Sequence, residues 1–254
     1  MKLILFVTTL FFIATTASAQ GNKKPIARII YKTIPVSQYS IEKGDLVSTP
    51  TKGSALELLN GYKSYYTLLI NLKTRASIYE FDSLVTTKVR GRESDNVSAG
   101  DEVHFCFKPA GNTTYKSEGL FNQSFKTIGT VGDIEWVITN EKKQVQGFDC
   151  TKAVSKNKDL LMTVWFTNAI PVSSGPGTYL GLPGLVVWAE DFFRTVQLEK
   201  VEYSDNTAAF ETKLKKYEAS YIGKVNFTKE PVFILRKANL GNYFYKLILA
   251  DAQK

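Results

Sequence analysis

Three sets of residues in this chain have types that could do chemistry, and their spacing decides what each can do. A Ser-His-Asp or Cys-His system would have to run through His104, the single histidine. His104 lies in the alternating stretch Glu102 to Lys108, and no G-x-S-x-G elbow occurs anywhere. The same histidine with two cysteines lacks the C-x-x-C or helical spacing of a zinc site. Glu190 and Asp191 are neighbours on an expected strand, so they point to opposite faces and make a poor acid–base pair for glycoside hydrolysis. No glycine-rich stretch has the form of a phosphate or dinucleotide cradle. The reading is therefore of a protein that is not an enzyme, with no catalytic residue, metal or cofactor assigned. A hydrolase whose carboxylates come from different strands is the alternative from another class.

Cys106 and Cys150 carry the remaining reactive chemistry. In Val103 to Lys108 the aromatics Phe105 and Phe107 alternate with His104 and Cys106, which turns Cys106 away from the aromatic face. An even cysteine count in an oxidising compartment then predicts a Cys106–Cys150 disulfide. It would close a loop of about 45 residues, worth roughly 4 kcal/mol on chain-entropy grounds. Two reduced thiols on strands buried on both faces are the alternative.

The compartment is read from the first residues. Lys2, the apolar run Leu3 to Ile13 and Ala17-Ser18-Ala19 have the order of a secretory signal peptide, residues 1–19, with Gln20 the new first residue. The run is too short to span a bilayer, and no later stretch is long and apolar enough to do so. A periplasmic or secreted location follows as the expectation. The 235 residues from Gln20 to Lys254 suit one domain with a substantial core. Without Lys2 the chain has 31 basic against 24 acidic residues, a net +7. These charges are dispersed, with no basic stripe interleaved with aromatics, which argues against nucleic acid and leaves weak attraction to anionic surfaces.

Short β-branched and aromatic runs set the fold expectation. Ile26 to Lys32 opens the series, and Tyr62 to Asn71 with Ala76 to Phe81 forms a hairpin. Val103 to Lys108, a pair of short strands within Thr113 to Lys126, Ile134 to Thr139, Gln144 to Ala153 and Leu160 to Thr167 follow. Leu185 to Glu190 and Thr195 to Tyr203 complete them. Polar, glycine-containing stretches at Pro35 to Gly53 and Thr86 to Asp101 read as loops. The period then changes: Asp205 or Asn206 can cap a helix over Thr207 to Ala219, with Phe210, Leu214, Tyr217 and Tyr221 on one face. Lys224 to Ala250 reads as mostly strands. The class is α+β, predominantly antiparallel β, a curved sheet or half-barrel with one late helix.

Two blocks of sequence resemble a known family. Ile134 to Thr139, Glu141-Lys142-Lys143 and Gly147-Phe148-Asp149-Cys150-Thr151-Lys152-Ala153 are similar to one block of the GLPGLI family of the Bacteroidota. Asn140 and Phe148 replace that family's Asp and Tyr. The second block is Trp165-Phe166-Thr167, Ile170-Pro171-Val172, Gly175-Pro176 and Gly181-Leu182-Pro183-Gly184-Leu185-Val186, where only Val186 departs from the eponymous Ile. Asn71, Ser77 and Tyr79 resemble the family's earlier hairpin. The resemblance covers Ile29 to Asp191 and fades after Tyr203. It implies a secreted or envelope protein with a β-rich fold and no established activity; an outer-membrane accessory role is an analogy only.

The apolar Pro-Gly turn is the candidate binding element. Pro183 presets one turn dihedral, and Gly184 is expected to take the positive φ of a type II turn. Gly175, Gly177, Gly181 and Gly184 suit a segment threaded across a sheet face or closing a barrel mouth. Trp165, Tyr179, Leu182, Pro183, Gly184, Leu185 and Trp188 form the candidate ligand- or partner-binding set, against the simpler reading that they are core. The expected function is a non-enzymatic periplasmic or outer-membrane-associated protein that binds a protein partner, such as an outer-membrane protein, or an apolar ligand. A lipid- or lipoprotein-carrier role is the variant that needs a dry cavity.

Overall fold

The computed structural model describes residues 24–38, 57, 59–86, 104–120, 123–131, 134–158, 161–191 and 194–221, with 104–105, 116–120, 123–127 and 220–221 described by their backbone alone. The expected signal peptide, the bulk of the two polar loops and the C-terminal run of expected strands lie outside these residues. Among these residues eleven strands form one antiparallel sheet: β1 (Ile26–Ile34), β2 (Tyr62–Asn71), β3 (Ser77–Thr86), β4 (His104–Lys108), β5 (Thr113–Leu120), β6 (Gln123–Thr130), β7 (Trp136–Val145), β8 (Phe148–Ser155), β9 (Thr163–Thr167), β10 (Leu185–Glu190) and β11 (Thr195–Ser204). One late helix, α1 (Thr207–Tyr221), follows.

The strand order is β6-β5-β4-β3-β2-β1-β11-β10-β9-β8-β7. Two meanders, β1 to β6 and β7 to β11, are therefore joined by the β1–β11 pairing. This order forces curvature. Laid flat, eleven strands would put β6 and β7 about 48 Å apart. Only residues 131–135 connect them, and six peptide steps reach at most about 21 Å. The sheet must roll until its two ends approach, leaving a seam between β6 and β7. Side-chain positions agree: a Cβ added to Gly181 would lie 3.1 Å from Val131 Cγ1, just after β6, and 4.0 Å from Trp136 Cδ1, at the start of β7.

Alternation sorts the side chains onto two faces. On β1, Ala27, Ile29, Tyr31 and Thr33 are buried on the concave side, and their partners on β11, β10 and β9 include Leu198, Val196, Ala189 and Val164. On the convex side Ile26, Ala76, Ile78 and Cys106 form a second core under Phe210 and Leu214 of α1. The helix starts at Asn206, whose Oδ1 accepts from the Ala209 amide at 3.1 Å, an N-cap bond that satisfies one free amide of the first turn.

Three expectations are corrected. Gln144 to Ala153 is not one strand: Gln146 (φ 51°) and Gly147 (φ 79°) make the tight turn between β7 and β8, the two positive φ values that a hairpin twist favours. Leu161 takes φ 48°, and β9 begins only at Thr163. No Cys106–Cys150 disulfide forms; both thiols are free and buried. Cys106 lies in the core under α1 and Cys150 in the main core, with six strands between β4 and β8 in the strand order, so the two are not placed for a bridge. Cys106 does turn away from the concave core, but α1 covers it, so the face that looked exposed is a second interior. Burial pushes both thiols up, Cys150 to about 11.

Candidate functional site

The chain leaves β9 at Thr167 and re-enters the sheet at Leu185. The 17 residues between, 168–184, hold the Pro-Gly motif. They have no apolar period because their backbone bonds to the sheet and to itself instead of to a neighbouring strand. The Leu185 amide donates to Ile170 O at 3.0 Å, and the Trp136 indole Nε1–H donates to Leu180 O at 2.7 Å. The Ser173 carbonyl accepts from Gly181 N and the Ser174 carbonyl from Val186 N, each at 3.4 Å. Ile170, Val172, Tyr179, Leu180 and Leu182 are buried in the main core, and a Cβ on Gly177 would touch the Tyr79 ring at 3.7 Å. The segment is a plug for the rolled sheet.

The glycines act differently from the turn that the motif predicts. Gly184 has no positive φ; Gly181, at 87°, does. What Gly184 supplies is close approach, since a Cβ there would fall 2.0 Å from the Thr167 carbonyl oxygen. Pro183 beside it is exposed.

A buried polar cluster ties the plug to the sheet. The Tyr179 hydroxyl donates to Asp191 Oδ2 at 2.7 Å, Arg194 Nε donates to the same oxygen at 3.2 Å, and the Arg194 amide donates to Oδ1 at 3.0 Å. The Arg194 guanidinium also stands 5.9 Å from the Tyr179 ring centre. Burial, then the Asp191 charge, pushes the Tyr179 phenol well above its ordinary value, so it serves as a neutral donor. Beside it, Tyr79 meets Tyr31 edge-on at 6.3 Å and stacks on Tyr66 at 4.9 Å. The Tyr31 hydroxyl reaches past β11 to the Val186 carbonyl on β10, next to the register shift between Val186 and Trp188 in the β9–β10 ladder.

The predicted binding set divides. Tyr179, Leu182 and Leu185 are core, and Gly184 is packed on Thr167. Trp165 and Trp188 pair across β9 and β10, with Lys143 Nζ 4.1 Å and 5.7 Å from their rings, a cation–π contact on the convex side. The carboxylates Glu190 and Asp191 do point apart: Glu190 accepts from the Gln38 amide, while Asp191 holds Tyr179 and Arg194. His104 is placed by its backbone opposite Glu80 and Ser117. Among the described residues no group of three or more His, Cys, Asp or Glu could hold a metal ion.

The sequence reading missed the two sheet ends. β7 is a terminal strand, and on it Val137 and Ile138 are 46% and 51% exposed. Two adjacent apolar residues on an edge strand show one to each face; the available signal was that both Val137 and Ile138 are apolar where a half-buried strand would alternate. Beyond them β7 gains extra residues relative to β8 between Ile138 and Lys142, then turns charged. A bulge and lysines blunt that half of the edge. The sticky part is Trp136 to Thr139.

Residues 155–188 match a family model described as a protein of unknown function (Porph_ging). This match fits an envelope family of the Bacteroidota; it spans β9, the plug and most of β10. No curated protein matches the chain. Among solved structures, PNGF-II in space groups C2 and P21 is similar, with TM-scores of 0.44 and 0.42 and 15% identity in each, over 89% and 90% of this chain. The chain spans about a third of the length of PNGF-II, 33% and 34%. An uncharacterised conserved protein from Thermus thermophilus gives a TM-score of 0.35 at 8% identity, over 76% of this chain and 86% of that one. Likeness at these scores carries no functional argument.

Proposed function

We propose that this is a non-enzymatic protein of the bacterial cell envelope, exported by its N-terminal signal, that binds a protein partner along the first half of β7. The observation that carries the reading is the exposure of Val137 and Ile138 on a terminal strand. Such an edge offers unpaired N–H and C=O groups together with apolar side chains, the combination by which an extended peptide adds to a sheet. The bulge after Ile138 limits the added segment to about four residues, so the interaction is short and selective. Three of the residues that would have lined a lipid cavity, Tyr179, Leu182 and Leu185, are spent on packing the plug, which favours a partner over a carried lipid. The carboxylates of Glu190 and Asp191 each hold a donor and sit on separate faces, which weighs against an acid–base pair.

A photo-crosslinking residue placed in native envelopes at Val137 or Ile138, and for comparison at exposed Lys156, tests this. One discrete adduct from the β7 positions, absent from the Lys156 position and lost when Thr139 is replaced by Pro, is the expected outcome. Equal labelling from all three positions, or none from β7, overturns the reading.

A further inference from the structure

Asp191 holds the Arg194 side chain by its inner nitrogen alone. Arg194 Nε donates to Asp191 Oδ2 at 3.2 Å, while Nη1 and Nη2, the outer fork of the guanidinium, have no acceptor among the described residues. The side chain is 30% exposed, so a solute can reach it. A second donor lies at the same end of the concave face. Thr33 of β1 pairs with Val196 of β11, two residues from Arg194, and the contact with the buried Tyr179 ring puts Arg194 on that face as well. Thr33 is buried, and its hydroxyl has no hydrogen-bond partner, an uncommon and costly state for an interior polar group.

The Tyr79 phenol connects the two. Burial and then Tyr66 push its proton dissociation up, while the Arg194 charge and the Thr33 hydroxyl pull it down, so both lie within electrostatic reach of its oxygen. Arg194, Tyr79 and Thr33 thus offer a charged fork and two hydroxyls, and the neighbouring acceptor, Asp191, is already engaged by Tyr179 and Arg194. A planar fork with neutral hydroxyls beside it matches a carboxylate. The Asp191 charge offsets the guanidinium and so selects a single negative charge over a dianion. The surroundings are aromatic: the Tyr179 ring centre is 5.9 Å from the guanidinium, and Tyr79 stacks on Tyr66. We propose that Arg194, Tyr79 and Thr33 bind a small monocarboxylic acid as its anion. The fork takes the two carboxylate oxygens, the Tyr79 hydroxyl donates to one of them, and Thr33 donates to the Tyr79 oxygen. This site goes beyond the β7 edge and does not depend on it.

Calorimetric titration of the full chain with benzoate, and for comparison with inorganic phosphate and sulfate, tests this. The expected result is saturable benzoate binding at one site with a dissociation constant of about 1 mM or tighter. Arg194→Lys keeps the charge and loses the fork, and should weaken binding at least about tenfold. Thr33→Val keeps the shape and removes the hydroxyl, and should weaken binding about threefold or more. Its unfolding midpoint without benzoate should not fall, because the lost hydroxyl has no partner in the protein. A purely structural Thr33 predicts the reverse, a lower midpoint and unchanged binding. Should Arg194→Lys fail to fold, the Thr33→Val result decides. No saturable benzoate binding in the wild type, or binding that ignores either folded variant, overturns the proposal. Phosphate or sulfate bound as tightly as benzoate overturns it as well.

Discussion

The Tyr31 hydroxyl donates to the Val186 carbonyl at 2.6 Å, joining β1 to β10 across the strand that separates them. Val186 gives its amide to Ser174 of the plug and its carbonyl to Tyr31, so one residue links two strands and the interior segment. The Tyr31→Phe variant keeps the ring and leaves that carbonyl buried without this donor. The expected loss is about 1–3 kcal/mol, read as a lower urea midpoint with an unchanged slope; an unchanged midpoint would show that the bond contributes nothing.

Two glycines should respond to alanine for different reasons. Gly184→Ala drives a methyl group into the Thr167 carbonyl, a backbone collision that side-chain movement cannot relieve, and should cost about 3 kcal/mol. Gly147→Ala meets nothing within 4 Å and is strained only by its φ of 79°, at about 1–2 kcal/mol. Thermal unfolding of the pair gives the order; a larger loss at Gly147 would refute the packing account of the motif.

Stability should fall steeply at alkaline pH. Burial pushes the Tyr31, Tyr79 and Tyr179 phenols well above the ordinary value near 10. Above pH 10 the unfolded chain releases these protons and the folded chain keeps them, so stability is full below pH 10 and decreases as pH rises. Each phenol contributes up to about 1.4 kcal/mol per pH unit. With three acting together, a domain of ordinary stability unfolds within about one to three units above pH 10. Tyrosinate absorbance at these three sites should rise with the loss of sheet signal; a rise that precedes unfolding would contradict the burial.

Both thiols should be present without reductant and slow to react. Cys106 lies under α1, and Cys150, with its thiol raised to about 11, has little thiolate at neutral pH. Labelling of the purified protein near neutral pH should be slow when folded and reach both thiols of the chain in urea, with or without prior reduction. Thiols that appear only after reduction would restore the disulfide.

Local pattern carried much of the fold. The β-branched and aromatic runs Ile26 to Lys32 and Tyr62 to Asn71 marked β1 and β2, and Phe210, Leu214 and Tyr217 at helical spacing marked α1 and its buried face. What local pattern could not carry is whatever depends on partners far away in the chain. Cys106 and Cys150 looked like a pair because sequence separation says nothing of six intervening strands. The plug was visible as an anomaly, an apolar Pro-Gly turn, but its glycine requirement comes from the Thr167 carbonyl and from Val131, residues outside the motif. Tyr31 and Arg194 gave no signal at all, since a tyrosine on a strand and an arginine beside an acid are ordinary in any surface.

The roll of the sheet bears on how the chain can assemble. Within each meander every pairing is between neighbours in sequence, and β1 with β2, β3 with β4 and β9 with β10 are the pairs joined by longer connections. The β1–β11 ladder instead joins residues about 170 positions apart, and closing a loop of that length is entropically slow to initiate. Each meander can thus form before the other is in place, with the plug, which belongs to the second, left to find Ser77 and Tyr79 of the first. A chain cut within residues 131–135 loses only a connector and no ladder bond between described strands. The two fragments should then recombine on mixing, each supplying the surface that the other lacks.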